Sequence, residues 1–578
     1  MDSRNDAQPD IEAVVSPAMS ELARKKNDWA HLGINAKIRY LRSMRAAIDE
    51  HADEWVDLAV EGKRIPADSP LAGEEWISGP YAVLIAINAV IRTLEALRDG
   101  TDVLEGTRTR VSDDGRVIVE VFPVDMFDRL LLSGYRAEVW MDESITTANL
   151  RDHVASFYKQ ASPEGRVGLI LGAGNISSIP LLDMLTKMFT EGQVVIIKMN
   201  PVNSYLGPVF EKICAELISD GYVRFVYGGA AVGTHLVHHE DVDSIHLTGS
   251  SETFHRIVYG EGKNGVKRRR ENNPLITKPI SAELGGVGPT FIVPGPWTAA
   301  DFAYQAEHLA TQKFHNAGFN CIASQVMVLA DGWDGSDRLV DELRSVIRTT
   351  PPREPYYPGA ETRHAAVLAN HPEAELLDPG PIPRILVRDI DPGDIKNHAF
   401  INEFFVGAYA TTKLAASDAS SFVRAAVEFA NTVLAGTLGA QFIVHPVTLK
   451  ELGPVIEAAI DGLQYGSIGI NGWTGAGYLL PAATWGAFPK HNSADIGAGI
   501  GIVHNAFMFD RPQKTVVHAP FHPFPRSVLN RQFHLSPKPP WFVTHARAHL
   551  AGERLTRFAA DPGWTHLPGI FSAALRHK

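Results

Sequence analysis

Between residues 165 and 260, short apolar runs alternate with helical stretches. This alternation constrains the chain more than any other feature. Segments 166–172 (RVGLILG), 193–199 (QVVIIKM), 222–227 and 243–247 read as buried strands, and 177–190, 207–219 and 234–239 between them as helices. Strands alternating with helices build βαβ units and a parallel sheet. Ligands of such sheets sit at the carboxyl ends of the strands. The residues just past each strand therefore carry most functional weight: Asn175, Lys198, Gly228 and Gly229, and Thr248, Gly249 and Ser250.

Around this segment the pattern is coarser. Residues 17–62 and 77–97 have helical spacing, with Leu22, Trp29, Ile38, Leu41, Met44 and Ile48 on one face. Residues 110–141 read as a β ribbon, with Asp114-Gly115 as its turn. Strands are expected over 280–284, 290–293 and 324–329, and helices over 299–315, 336–348 and 417–434. The basic run Lys263, Lys267, Arg268, Arg269 and Arg270 reads as a solvated loop, with a phosphate or partner contact as the sharper alternative. Residues 350–360 and the glycine-rich 466–505 read as loops, residues 1–15 as a frayed end, and the tail after 520 is rich in Pro, His and aromatics.

Composition removes several classes. The 578 residues carry 66 acidic and 54 basic side chains, a net charge of −12, which argues against a general nucleic-acid binder. The longest apolar run, 81–91 (YAVLIAINAVI), is 11 residues, short of the roughly 20 that span a bilayer, so no membrane span is expected. The polar, acidic start MDSRNDAQPD does not resemble a secretory leader. Two cysteines, Cys214 and Cys321, make no disulfide framework and point to a reducing, cytoplasmic setting.

Taken singly, the chemistry-bearing residues are ambiguous. Cys321, between a helix and a strand, is a nucleophile if its thiolate is stabilised, and otherwise a small packed side chain. Cys214, on the apolar face of EKICAELIS, reads as packing. Glu283 precedes Gly285 and Gly286 at a strand end and is either an accessible base or a turn carboxylate. Lys198 either holds a ribose or phosphate oxygen or simply ends its strand. The stretch LGAGN lacks the GxGxxG dinucleotide fingerprint. The tail histidines His518, His522, His534, His545, His549, His566 and His577 show no metal-ligand spacing, and no metal is expected. Trp541-Phe542 reads as packing, with a substrate-tunnel cap or a contact to a neighbouring subunit as alternatives.

Order and spacing are far more specific. GAGN (172–175), VVIIK (194–198), HEDVDSIHLTGS (239–250), ELGG (283–286), NAGFNC (316–321) and NEFFVG (402–407) together resemble the aldehyde dehydrogenase superfamily over roughly residues 20–515. The resemblance implies an α/β fold: a Rossmann-type cofactor domain, an α/β catalytic domain and a β oligomerisation ribbon. It implies Cys321 as the nucleophile, Glu283 as the general base and Asn175 as the oxyanion donor, together with the Cys321 backbone N–H. Lys198, Gly229, Ser250, Glu403 and Phe405 would bind NAD or NADP, with Glu403 and Phe405 beside the nicotinamide ribose. The expected product is a carboxylate, released from a cysteine thioester by water that Glu283 activates. A CoA-dependent acylating enzyme or acyl-CoA reductase, and a non-catalytic scaffold on this fold, are the alternatives.

Expected boundaries are N-terminal helices on the cofactor domain (1–109), a β ribbon and oligomerisation arm (110–150), the cofactor-binding domain (151–277), the catalytic domain (278–480), a return strand (481–520) and a C-terminal extension (521–578). A homodimer or homotetramer is implied, with the tail wrapping a neighbour. Departures from the family pattern are Pro201, where an acid usually rejects a 2′-phosphate, Phe254, expected to narrow the pyrophosphate site, and Phe319, expected to reshape the aldehyde tunnel. Segments 126–135 and 472–486 are expected to shape the substrate pocket and lean towards a hydrophobic aldehyde.

Overall fold

The structure is a computed structural model and describes residues 11–576 apart from 67, 379 and 381. Two sheets organise the described residues. The smaller runs Gly499–Ile500, Ile280–Leu284, Ser244–Gly249, Val167–Leu171, Val194–Lys198 and Val223–Val226 in spatial order. All neighbours are parallel except Gly499–Ile500, which lies antiparallel to Ile280–Leu284. Both faces carry helices, so the strands can be apolar throughout, and Val167–Leu171 and Val194–Lys198 are buried at every position. Pairing of Leu171 with Lys198 and of Lys198 with Val226 aligns the carboxyl ends in one row.

The larger sheet begins as an antiparallel ribbon, Arg108–Val111, Val117–Phe122 and Arg136–Met141. Pro512–His518 then pairs antiparallel with Arg136–Met141 and parallel with Ser467–Ile470. Through that one strand the ribbon continues into Gly439–Ile443, Gly288–Ile292, Ser324–Ala330, Ala408–Leu414, Ile385–Ile390 and Glu375–Leu376.

Several expectations change. Residues 11–15, expected to be frayed, belong to the helix Ile11–Ala30, which buries Val15; residues 1–10 lie outside the described residues, as does His577. The basic run is helical (Gly262–Arg270), because Arg268 bonds back to the Tyr259 carbonyl and Arg269 to that of Ala494. The 466–505 segment contains the buried strand Ser467–Ile470 and the short helix Gly475–Tyr478.

The tail packs on its own chain. The helix Ala548–Ala560 lies against Ala72–Trp76, close enough that a Cβ at Gly552 would stand 2.7 Å from that of Trp76. Asn88 Nδ2 donates to the Ala559 carbonyl at 2.8 Å, and Phe542 stacks on His308 and Tyr304. The stretch Ala72–Asp99 is long and apolar enough to cross a membrane, but 78% of its most apolar window is buried within the protein.

Candidate active site

Cys321 follows the helix Ala299–Phe314 through a tight turn. Asn316, Ala317 and Gly318 all adopt positive φ (54°, 55° and 83°). Asn316 and Ala317 are non-glycine residues in the left-handed region, so surrounding contacts must hold them there. Those contacts are buried and charged. Lys63 Nζ lies 2.8 Å from Glu75 and donates to Asn316 Oδ1 at 3.3 Å. The Asn316 backbone N–H donates to Glu74 Oε2, which Arg353 also engages. Tyr356 donates its hydroxyl to the Asn175 carbonyl at 2.9 Å. At Gly318 a Cβ would stand 2.8 Å from the Val406 backbone, so only glycine fits.

The turn brings the half-buried Cys321 Sγ to 3.5 Å from Glu283 Oε1, at the end of the strand Ile280–Leu284. Trp485 Nε1 donates to the same carboxylate oxygen at 2.7 Å. Burial raises the Glu283 pKa to about 7, with the Trp485 bond opposing that rise. Burial also raises the Cys321 thiol well above its ordinary range, reinforced by the charges of Glu283 and Glu403. Burial is the largest cause of both shifts.

Around the pair lies a cavity of about 60 Å³, lined by Ser78, Asn175, His315, Trp473, Tyr478 and Trp485 among others. Segment 472–486 supplies much of this wall, as expected. Segment 126–135 does not reach it, and Trp541 of the tail does. Asn175 Nδ2 donates to the Phe319 carbonyl at 2.9 Å. An amide nitrogen carries two N–H donors, so that bond engages one of them. The Phe319 ring turns away from the cavity into a cluster with Tyr356, Tyr357 and Phe405, so it does not reshape the tunnel.

A second, polar cleft of about 420 Å³ opens beside the first. Glu283 lines the cavity, while Gly285 and Gly286 line the cleft together with Ser250, Glu403, Thr437 and His491. Ser250 also caps the helix Ser251–Tyr259 by accepting from Thr253 N–H. Glu403 Oε1 is buried with no hydrogen-bond partner among the described residues, and burial raises this carboxyl to about 8 against the pull of Lys313 and Arg363. A hydroxyl group entering the cleft would satisfy it. A Cβ at Gly285 would collide with the Glu403 carboxylate, so the glycine keeps that approach open.

Lys198 and Gly229 stand on the same sheet edge without lining the cleft. Burial lowers the Lys198 pKa, and Gly229 begins the helix Ala230–His238. Phe405, at φ 42°, packs under Arg363. Phe254 is fully buried in the core and leaves the cleft unobstructed, contrary to the narrowing expected of it. Pro201 is exposed in the turn after Val194–Lys198. Missed from sequence were Trp485 as a partner of Glu283, Thr437 and His491 in the cleft, and the buried ion network under Asn316.

Among the described residues, one histidine–carboxylate cluster does form. Asp301, His445 and His522 bring ligand atoms within 4.8 Å of one another. Asp301 is already occupied: it closes the capping box with Thr298 and pairs with Arg526, whose positive charge opposes a cation.

Residues 125–365 match the family model described as the aldehyde dehydrogenase family. A mitochondrial aldehyde dehydrogenase of Sus scrofa is 29% identical over 266 residues, covering 43% of this chain and 46% of that protein. A D-glyceraldehyde dehydrogenase (NADP(+)) of Picrophilus torridus is 22% identical over 294 residues, 47% of this chain and 56% of that one. The chain thus matches about half the length of these relatives or less. Among solved structures, an aldehyde dehydrogenase of Mycobacterium tuberculosis complexed with NAD+ superposes with a TM-score of 0.58 at 16% identity, covering 87% of this chain and 89% of that one. An NADP-dependent glyceraldehyde-3-phosphate dehydrogenase from Bacillus halodurans C-125 superposes at 0.55 with 17% identity, covering 88% and 91%. At these identities the likeness is one of fold. Motif order, sheet topology and the match over residues 125–365 converge: this part of the chain resembles the aldehyde dehydrogenase family, on a fold that the solved structures share.

Proposed function

We propose that the protein oxidises an aldehyde to a carboxylate with NAD or NADP as hydride acceptor. The observation that carries this reading is the 3.5 Å approach of Cys321 Sγ to Glu283 in a largely apolar cavity beside a polar cleft. Glu283 accepts the thiol proton, and Cys321 Sγ attacks the aldehyde carbon to give a thiohemiacetal. An Asn175 N–H and the Cys321 backbone N–H donate to the alkoxide that develops. The chemistry a bound nicotinamide dinucleotide supplies is acceptance of the hydride, which leaves a thioester on Cys321. Glu283 gives the thiol proton up to solvent, then takes a proton from attacking water; the Cys321 thiolate leaves and recovers that proton, and the carboxylate is released.

Glu403, Ser250, Lys198, Gly229 and Phe405 are the residues that would hold the dinucleotide. The orphaned Glu403 Oε1 supports a ribose hydroxyl there. Pro201 leaves no acid near Lys198 to repel a 2′-phosphate, which supports use of NADP as well as NAD. The exposed edge strand Arg108–Val111 supports a homodimer or homotetramer built through the ribbon. Two free cysteines support a reducing, cytoplasmic setting.

The test is absorbance at 340 nm with a panel of aldehydes, each with NAD+ and NADP+, with and without CoA. Turnover without CoA, lost by at least about a thousandfold in Cys321→Ala, is the expected result. Turnover that survives Cys321→Ala rejects the mechanism, and turnover only with CoA assigns the thioester to a thiol acceptor instead of water.

A further inference from the structure

A second cavity, also about 60 Å³, lies behind the one that holds Cys321. The two share three lining residues, Ile77, Leu479 and Trp541, and meet at those side chains. The far chamber is walled by Leu131, Leu132, Leu480, Leu555, Ile570 and Phe571, beside prolines of the tail. Its serine, Ser536, already spends its hydroxyl on the Ser133 carbonyl. No charged side chain lines it. More than half of its lining comes from residues 536–574, within the extension that matched no part of the family pattern.

We infer that the C-terminal extension builds the far end of the substrate site, and that the substrate is an unbranched aliphatic aldehyde. Its carbonyl lies at Cys321, and its hydrocarbon tail passes Trp541 into the chamber. This deepens the proposed aldehyde oxidation and rests on it. Walls that are apolar apart from Ser536 and the hydroxyls of Tyr81 and Tyr135, and that carry no charge, favour a largely hydrocarbon ligand. Each cavity has room for about four water-sized groups, so a medium-length chain fills both where a short one fills only the first. The Trp541 indole, edge-on to Tyr135 with ring centres 6.2 Å apart, stands at the junction and sets the width of the passage.

The experiment measures kcat/KM for propanal, hexanal, nonanal and dodecanal in the full-length protein and in two variants of the far chamber. In the unaltered protein, kcat/KM is expected to rise with length by up to about fourfold per methylene, then level off when the chamber is full. Ala574→Phe narrows the chamber and should move the optimum to a shorter aldehyde. Phe571→Ala widens it and should move the optimum to a longer one. A flat profile, or an optimum unmoved in both folded variants, overturns the inference and leaves aldehyde oxidation standing. If no aldehyde is oxidised at all, the proposed function fails, and calorimetric binding of decanoate decides the chamber separately. Binding weakened at least tenfold by Ala574→Phe supports the chamber, whereas binding absent or unchanged by the variant overturns it.

Discussion

At the residue scale, the site turns on how one carboxylate is held. Glu283 sits near the pKa at which it can both receive and hold a proton at neutral pH, because burial pushes it up to about 7. A carboxyl with a raised pKa keeps its proton below that value, so it is an acceptor only above it. The rate should therefore rise with pH through about 7, and Glu283→Gln should abolish that limb together with most turnover. The Trp485 N–H stabilises the charged form. Trp485→Phe removes a charge-assisted bond of about 1.5–3 kcal/mol, so the acidic limb should move about one to two pH units higher. A pH profile of kcat for the three proteins checks both statements. Glu283 and Cys321 were picked out by the motifs of the family resemblance, whereas Trp485, 202 positions from Glu283, was not. Only the fold brings such distant positions together.

At the element scale, the turn before Cys321 depends on a buried ion network supplied by other elements. Lys63 lies just past the helix Ile34–Gly62, Glu74 and Glu75 are in Ala72–Trp76, and Arg353 is in the proline-rich loop. Lys63 and Glu75 are fully buried, and desolvation lowers the Lys63 pKa against the pull of Glu75. Removing one member leaves an uncompensated charge. Lys63→Met should cost about 3–5 kcal/mol of stability, read as a lower urea midpoint at unchanged m-value. It should also lower kcat more than it raises KM, since it loosens Asn316 beneath Cys321. In sequence, Lys63 and Glu75 look like surface charges of helical segments. Their burial follows from the Pro-rich loop folding over them, which no helical periodicity encodes.

At the scale of the whole molecule, the extension is part of the globule. Arg557 pairs with Asp49 and Asp53, Lys538 pairs with Glu307, and Phe558 and Ile570 pack on Phe127 and Leu131. Deleting residues 521–578 would expose these faces along with the helix stretch Ala72–Asp99. Each large apolar side chain re-exposed costs about 1.5–3 kcal/mol, so the truncated chain should melt at clearly lower temperature and tend to aggregate. A thermal scan with light scattering checks this. An unchanged melting temperature would mean that the tail contributes little to its own chain. The ribbon is likewise continuous with the catalytic sheet through Pro512–His518, so its outer edge is Arg108–Val111.

The sequence by itself determined the parallel sheet and the order of the motifs that carry Cys321 and Glu283, whose proposed roles the family resemblance implies. Those features are local: strand and helix periodicities repeat within a few residues, and the motifs sit where strands end. Tertiary structure alone decided which way Phe254 and Phe319 point, what holds Glu283, and where the tail lies. Each depends on contacts between residues tens to hundreds of positions apart, and the free energy of burying a side chain against a distant partner leaves no mark on the local pattern.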